Sequence, residues 1–220
     1  MLTKRLEKLV SVLPHCATLA DVGCDHGYVG IEALERGIAK CVIFVDVSAP
    51  SLDKARINCP KEYLPHAKFV CCDGLGDIVC DTAIIAGMGG LETISILNNA
   101  QHLPTKLVLQ PMRNQKDVRS YLIAHGYDII TDEKFHDYKF YDVIVATRCD
   151  KPTKLTEIEL EFGKSNLASP SQDFIDYLHA EIDKIRNIPV FDRDTSLQDK
   201  VALLHQILAD TATKCQSNGF

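Results

Sequence analysis

Four aspartates in the first 73 residues stand at the ends of short apolar runs, where a sheet would present them to a ligand. Asp21 and Asp25 flank a turn at Gly23 in the run Asp-Val-Gly-Cys-Asp-His-Gly-Tyr (residues 21–28), Asp46 closes the second apolar run, and Asp73 follows the third. A glycine turn that passes from a strand into a helix is where an open α/β sheet holds a nucleotide, because the helix N-terminus points its free N–H groups at the ligand. The dinucleotide fingerprint G-x-G-x-x-G would put glycine at positions 25 and 28, but Asp25 and Tyr28 stand there. A pyrophosphate would meet a carboxylate where it needs bare backbone. S-adenosylmethionine carries an ammonium and a sulfonium and no phosphate, so an acidic lining favours it, and a carboxylate at the end of the second strand is placed to accept from ribose hydroxyls.

A second glycine cluster, Ala86-Gly-Met-Gly-Gly90, follows the fourth apolar run, and glycines there let the main chain come close to a ligand. His26 opens a helix beside carboxylates, which suits an orienting hydrogen-bond group better than a general base. The elements that must carry these residues alternate. Thr18–Val22, Cys41–Asp46, Ala67–Cys72, Thr82–Ala86 and Lys106–Gln110 are short and apolar on both faces, as in the buried strands of a parallel sheet. Helical stretches at 28–37, 49–59, 90–101 and 114–125 separate them, the last closed by Gly126. Tyr127–Phe135 and Phe140–Arg148 are joined by so few residues that they must be antiparallel neighbours. The expected fold is therefore α/β, a parallel sheet ending in an antiparallel hairpin over residues 1–152, which resembles the Rossmann-like sheet of class I methyltransferases. A C-terminal extension over 153–220 shows helical spacing at Phe174, Leu178, Ile182 and Ile185 and again at Leu197, Val201, Leu204 and Leu208. Two such stripes predict an antiparallel helical hairpin, coiled-coil-like, with Thr195 or Ser196 capping its second helix.

Composition narrows the class. Of 220 residues 46% are apolar and 25% charged, no run approaches the ~20 apolar residues of a membrane span, and the first eight residues lack the apolar stretch of a secretion signal. The expectation is a cytoplasmic protein without a membrane partner. Nine cysteines include no C-x-x-C pair, so they read as small buried hydrophobes and no metal site is expected. The net charge of −6 excludes a general field for polyanions. Any nucleic-acid contact must be local, and residues 106–119 carry Lys106, Arg113, Lys116 and Arg119 against Asp117 alone.

Arg5-Leu6, the run at 21–28, Asp73-Gly74-Leu75, Ala86–Gly90, Leu109-Gln-Pro-Met-Arg113 and Tyr141–Ala146 resemble, in order, the TrmK family of tRNA (adenine(22)-N1)-methyltransferases. The likeness extends through Phe162–Leu167 and Phe174–Glu181 and so spans nearly the whole chain. It implies methyl transfer from S-adenosyl-L-methionine to N1 of an adenine in the tRNA D-arm, with tRNA as partner; no protein partner is implied, and a monomer is expected. By position it puts Gly23, Asp25 and His26 on the methionine part, Asp46 on the ribose, Asp73 and Gly74 on the adenine, and Arg5 on the cofactor carboxylate. Asp21, Gly87, Met88 and Gly89 complete the expected cofactor site.

Three positions depart from the family pattern: Cys24 for serine, Ala49 for glycine, and Met112 for asparagine. If that asparagine orients the target base, Gln110 or Asn114 must supply the hydrogen bond here, with Met112 packing against the ring. N1 of adenine has an available lone pair, so no strong base is required, and catalysis reduces to positioning. Two readings stay open at this point: another S-adenosylmethionine-dependent methyltransferase with the hairpin as a lid, and a non-catalytic RNA-binding protein with this fold.

Overall fold

A computed structural model describes residues 2–189 and 195–217, and for 212–217 the main chain alone. The apolar runs form parallel strands β1 (Cys16–Val22), β2 (Ala39–Asp46), β3 (Ala67–Cys71), β4 (Thr82–Ala86) and β5 (Lys106–Gln110). Two longer strands follow, β6 (Tyr127–Asp137) and β7 (Lys139–Arg148), and β7 runs antiparallel to both β5 and β6. The seven-stranded order is β3-β2-β1-β4-β5-β7-β6. The chain leaves β1 toward β2 and later returns to its other side as β4, so a crevice opens at the carboxyl end of β1, where Gly23 lies.

Alternation along each strand divides the core between two faces. Leu19, Phe44, Ile84 and Val108 pack under α1 (Lys4–Ser11), α2 (Tyr28–Glu35) and α3 (Ala49–Asn58). Their neighbours Ala20, Val45, Ile85 and Leu109 pack under α4 (Gly90–Asn98) and α5 (Gln115–Ala124). The strands and helices fall within a few residues of the spans expected, the largest difference being α4, which ends at Asn98 rather than 101. α1 was not anticipated. Thr3 caps it by accepting from Leu6 N at 3.2 Å, and it buries Leu9 and Val10 while carrying Arg5 to the sheet edge.

The C-terminal extension begins with α6 (Glu157–Phe162) and α7 (Lys164–Ala168), also unanticipated, and continues as α8 (Gln172–Arg186) and α9 (Thr195–Ser217). Thr156 and Glu159 close a capping box at the start of α6. The stripes of α8 and α9 meet in a core of their own, with Phe174, Leu178 and Ile182 against Leu204 and Ile207. Lys200 reaches Glu181 at 3.3 Å, as antiparallel pairing requires. Thr195 and Ser196, the residues expected to cap α9, are its first two described residues and belong to the helix itself, and the connection at 190–194 lies outside the described residues.

Arg119 requires a correction. It was expected to meet RNA, but it is fully buried. Its guanidinium donates to both oxygens of Asp132, Nε at 2.7 Å and Nη2 at 2.9 Å, and Nη2 also donates to Asp142 Oδ1 at 2.8 Å. Nη1 donates to the Leu160 and Glu161 carbonyls at 3.0 and 3.1 Å. Lys134 completes the cluster by donating to Asp142 Oδ2, so two cations and two carboxylates balance inside the protein. The charge joins α5, both strands of the hairpin, and the end of α6. The cysteines divide as well: Cys24 and Cys59 are buried as expected, but Cys41 and Cys71 are exposed.

Candidate functional site

The turn after β1 is folded onto β2, with Gly23 N and Cys24 N both donating to Val45 O at 2.8 and 3.1 Å. Gly23 has φ +69, and a Cβ there would come within 2.3 Å of Met88 Cε, so the turn needs glycine both for its backbone and for its neighbour. Asp25 holds φ +44, a conformation that a side chain rarely adopts, and its N–H donates to Asp46 Oδ2 at 3.0 Å. Ser48 N donates to the other oxygen of Asp46 at 2.9 Å. Two main-chain donors thus fix the Asp46 carboxylate at the crevice while each oxygen keeps a further lone pair for a ligand.

Asp21 lies deeper. It is buried, its Oδ2 accepts from Gly30 N at 2.9 Å, and burial, opposed by that hydrogen bond and reinforced by the nearby Asp46 charge, pushes its carboxyl up to about 6. Asp25 is more open, with Lys54 Nζ at 3.5 Å and His26 Nε2 at 3.6 Å. The His26 ring stacks on Tyr28, centroids 5.3 Å apart.

Around these groups the crevice has two halves. One, of about 250 Å³, is lined by Arg5, Asp21, Gly23, Asp25, His26 and Tyr28 among others. The other, of about 260 Å³, is lined by Asp46, Asp73, Gly74, Met88 and Glu92 among others. Val22 and Gly23 belong to both halves, which therefore adjoin at the end of β1. Nine of the expected cofactor residues come together here, and Tyr28 and Glu92 were missed. Glu92 stands in the first turn of α4, where an acid is common for helix electrostatics alone, so nothing in the sequence marked it.

The loops after β4 and β5 are laced together by main-chain bonds: Gly87 N to Gln110 O at 3.2 Å, Met112 N to Met88 O at 2.8 Å, and Gly90 N to Arg113 O at 2.9 Å. Gly87 has φ +83 and lies beside Arg5, while Gly89 lies under the Arg113 side chain. Gln110 is buried and held at both ends of its carboxamide. Its Oε1 accepts from Arg5 Nη1 at 2.8 Å, and its Nε2 donates to Met112 Sδ at 3.2 Å. Asn114 takes φ +59 and donates from Nδ2 to Asp117 Oδ2 at 3.0 Å, so its amide is committed to the first turn of α5. Of the two residues expected to stand in for the family's asparagine, Gln110 is the one joined to a crevice-lining side chain, through Arg5.

The expected basic rim does not hold as one patch. Arg113 is exposed beside Gly89, and Lys116 is exposed but pairs with Glu157 at 2.6 Å. Lys106 starts β5 and so sits at the opposite edge of the sheet from Gln110, while Arg119 is buried as described. Among the described residues no cluster of His, Cys, Asp and Glu could hold a metal, and no helix is long and apolar enough to cross a membrane.

Comparison with known proteins follows the same lines. A methyltransferase-domain family model matches residues 2–144. A Bacillus subtilis protein named tRNA (adenine(22)-N(1))-methyltransferase is 30% identical over 170 residues, 74% of this chain and 71% of that one. A Mycoplasma genitalium relative is 28% identical over 147 residues, and the match spans 62% of this chain and 65% of that protein. The crystal structure of Streptococcus pneumoniae Sp1610 in complex with S-adenosyl-L-methionine superposes with a TM-score of 0.85 at 28% identity, covering 94% of this chain and all of that one.

Proposed function

Because the chain belongs to the methyltransferase-domain family and, within it, to the tRNA (adenine(22)-N1)-methyltransferases, we propose that it transfers a methyl group from S-adenosyl-L-methionine to N1 of adenine 22 in the D-arm of tRNA. The observation that carries this reading is the pair of adjoining half-crevices, both acidic and both opening at Gly23. Their chemistry fits a cationic nucleoside without phosphate. A side chain at Gly23 would fill the junction between them.

S-adenosyl-L-methionine supplies, when bound, a methyl group activated by a sulfonium. Asp21 and Asp25 offer negative charge to its cationic end, and His26 orients Asp25. Arg5 keeps guanidinium N–H groups beyond the one given to Gln110, and these bind the cofactor carboxylate. Asp46 accepts from the ribose hydroxyls with the lone pairs that Asp25 N and Ser48 N leave open. Asp73 and Gly74 bound the adenine end, and Met88 packs at the junction.

Gln110 orients the target base. Its Nε2 rests on a thioether, a weak acceptor, and exchanges it for a ring nitrogen of adenine other than N1. Met112 then packs against the ring. No residue needs to remove a proton, because the N1 lone pair is already available, and holding it about 3 to 3.5 Å from the methyl carbon supplies the rate. Arg113 and Lys116 contact tRNA phosphates, Lys116 by giving up its surface pair with Glu157. We further propose residues 1–152 as the methyltransferase domain and 153–220 as a helical extension, in a monomeric cytoplasmic enzyme.

The test is to incubate the protein with labelled S-adenosyl-L-methionine and unmodified tRNA transcripts and to map the methylated nucleotide. Label at N1 of adenine 22, absent from a transcript with guanine there, is expected. Label at another adenine would keep the chemistry and reject the site, and no label in RNA would reject the reading.

A further inference from the structure

The hairpin of β6 and β7 projects beyond the catalytic edge of the sheet and carries an aromatic residue at its tip. Leu109 pairs with Ile144, so the part of β7 before Val143 continues past the last residue of β5. From Val143 to Lys139 is four residues, roughly 14 Å of strand. At the turn, where Asp137 pairs with Lys139, stands Tyr138. It is 93% exposed and has φ +61, the left-handed region that favours glycine. A bulky side chain there is an outlier that costs stability, and glycine or asparagine would make the same turn with less strain. The turn does not need Tyr138, and its ring adds nothing to the core.

The mount beneath it is rigid. Asp137 Oδ2 accepts from Arg5 N at 2.8 Å, which ties the tip to α1. His136 N donates to Asp173 Oδ2 at 3.0 Å, which ties it to the start of α8. The His136 ring lies against Phe140 at 4.9 Å, and Phe140 in turn meets Tyr177 edge-on at 5.6 Å. Arg5 links the tip to the crevice directly, since the residue whose N–H holds Asp137 also donates from Nη1 to Gln110. Beside Tyr138, Lys139 is exposed, its ammonium lies 5.4 Å from the Tyr141 centroid, and it has no ion pair among the described residues. Lys4 is exposed nearby, with only a 3.9 Å contact to Asp173.

We propose that Tyr138 is a stacking platform for a tRNA base next to the target adenine, with Lys139 and Lys4 on the adjoining phosphates. The inference rests on the tRNA reading above and adds the residue that holds the strand once the target has been drawn out of its helix. Removing a base from its stack costs a few kcal/mol, and an exposed aromatic at a fixed distance from the crevice offsets that by stacking on the neighbour left behind. A rigid tyrosine suits this because every base has a π-face and little side-chain freedom is lost on contact.

The experiment compares wild type with Tyr138→Gly, Tyr138→Ala, Tyr138→Phe and Tyr138→Trp, measuring tRNA affinity, KM and kcat for methylation, S-adenosyl-L-methionine affinity, and Tm. Tyr138→Gly is the informative variant, because it relieves the turn. It is expected to melt no lower than wild type and to bind S-adenosyl-L-methionine as well, yet to raise the tRNA Kd and KM roughly tenfold or more, with kcat little changed. Tyr138→Ala should lose as much, and the Phe and Trp variants should keep wild-type KM. A Tyr138→Gly protein with unchanged tRNA Kd and KM would overturn the inference, as would a Phe variant as weak as Gly. Wild type that binds S-adenosyl-L-methionine but methylates no tRNA would instead sink the functional reading on which it rests.

Discussion

Asp21 shows how a residue that reads simply as an acid acquires a specific role from its depth. Its place at the end of a strand beside a glycine turn was legible, but its burial and its bond to Gly30 N were not, because both depend on how closely α2 packs on the sheet. Its carboxyl is raised to about 6 from an ordinary 3.8. The folded state therefore holds the proton more tightly, and the associated stability is present below pH 4 and is lost as pH rises through about 6. Asp21→Asn, which can still accept from Gly30 N, should raise the Tm at pH 8, by up to about 3 kcal/mol in stability, and change little at pH 4. The same charge attracts a cationic ligand, so S-adenosyl-L-methionine affinity should weaken as pH falls below 6 in wild type and be weaker and flatter with pH in the variant. Calorimetric titration from pH 5 to 8 reads this, and a variant binding as tightly as wild type at pH 8 would remove Asp21 from the site. Gly23 is simpler, since its φ of +69 and the 2.3 Å approach to Met88 both oppose a side chain. Gly23→Ala should lose at least tenfold in cofactor affinity, about 1.4 kcal/mol, and a wild-type Kd in the same titration would mean that the crevice does not close there.

At the scale of elements, local pattern located the strands because each is a short apolar run bounded by turn residues. Pattern located α8 and α9 because each has one apolar stripe. It missed α1, which stands before the first strand and outside the strand–helix alternation, and α6 and α7, whose six and five residues are too few for a periodic stripe to stand out. It also misread Arg119, since a lone arginine near lysines looks exposed until its partners are known. Those partners, Asp132 and Asp142, come from two strands that only pairing brings together. The cluster they form fastens the extension to the sheet: the Arg119 guanidinium reaches the end of α6, Ser165 Oγ accepts from Asp132 N at 3.2 Å, and Asn166 Oδ1 accepts from Lys134 N at 2.9 Å. Removing one member leaves charge buried without a partner. Arg119→Ala should cost about 3–5 kcal/mol, and Arg119→Lys should recover little of it because an ammonium cannot span two oxygens of Asp132 and Asp142 together. Hydrogen exchange should show the loss first in α6 and α7, ahead of β1 and β4. Equal loss of protection throughout would mean that the cluster stabilises the sheet rather than the joint.

Over the whole molecule, a net charge of −6 and a tRNA substrate are compatible only if the basic contacts are few and in the right place. Residues 106–119 looked like that place by count, but folding scatters them: Lys106 goes to the far edge, Arg119 into the interior, and Lys116 to a pair with Glu157. What remains for phosphates at the catalytic edge is Arg113 beside Gly89, Lys116 once it leaves Glu157, and Lys4 and Lys139 at the hairpin tip, with Arg5 in the crevice kept for the cofactor. Each phosphate contact contributes roughly 0.7–0.9 to the slope of log affinity against log salt, so a total slope of about 2 to 4 is expected, well below that of a protein with a basic groove. Arg113→Ala should lower the slope by about 1 and weaken binding to any tRNA alike, whereas Lys106→Ala should change neither. A salt titration of tRNA binding for both variants decides it. If Lys106→Ala lowered the slope as much as Arg113→Ala, tRNA would have to wrap to the amino edge of the sheet. On the proposed reading, with contacts confined to one edge, an acidic body repels the remaining backbone, so tRNA is expected to be retained only when its shape brings phosphates to those few cations.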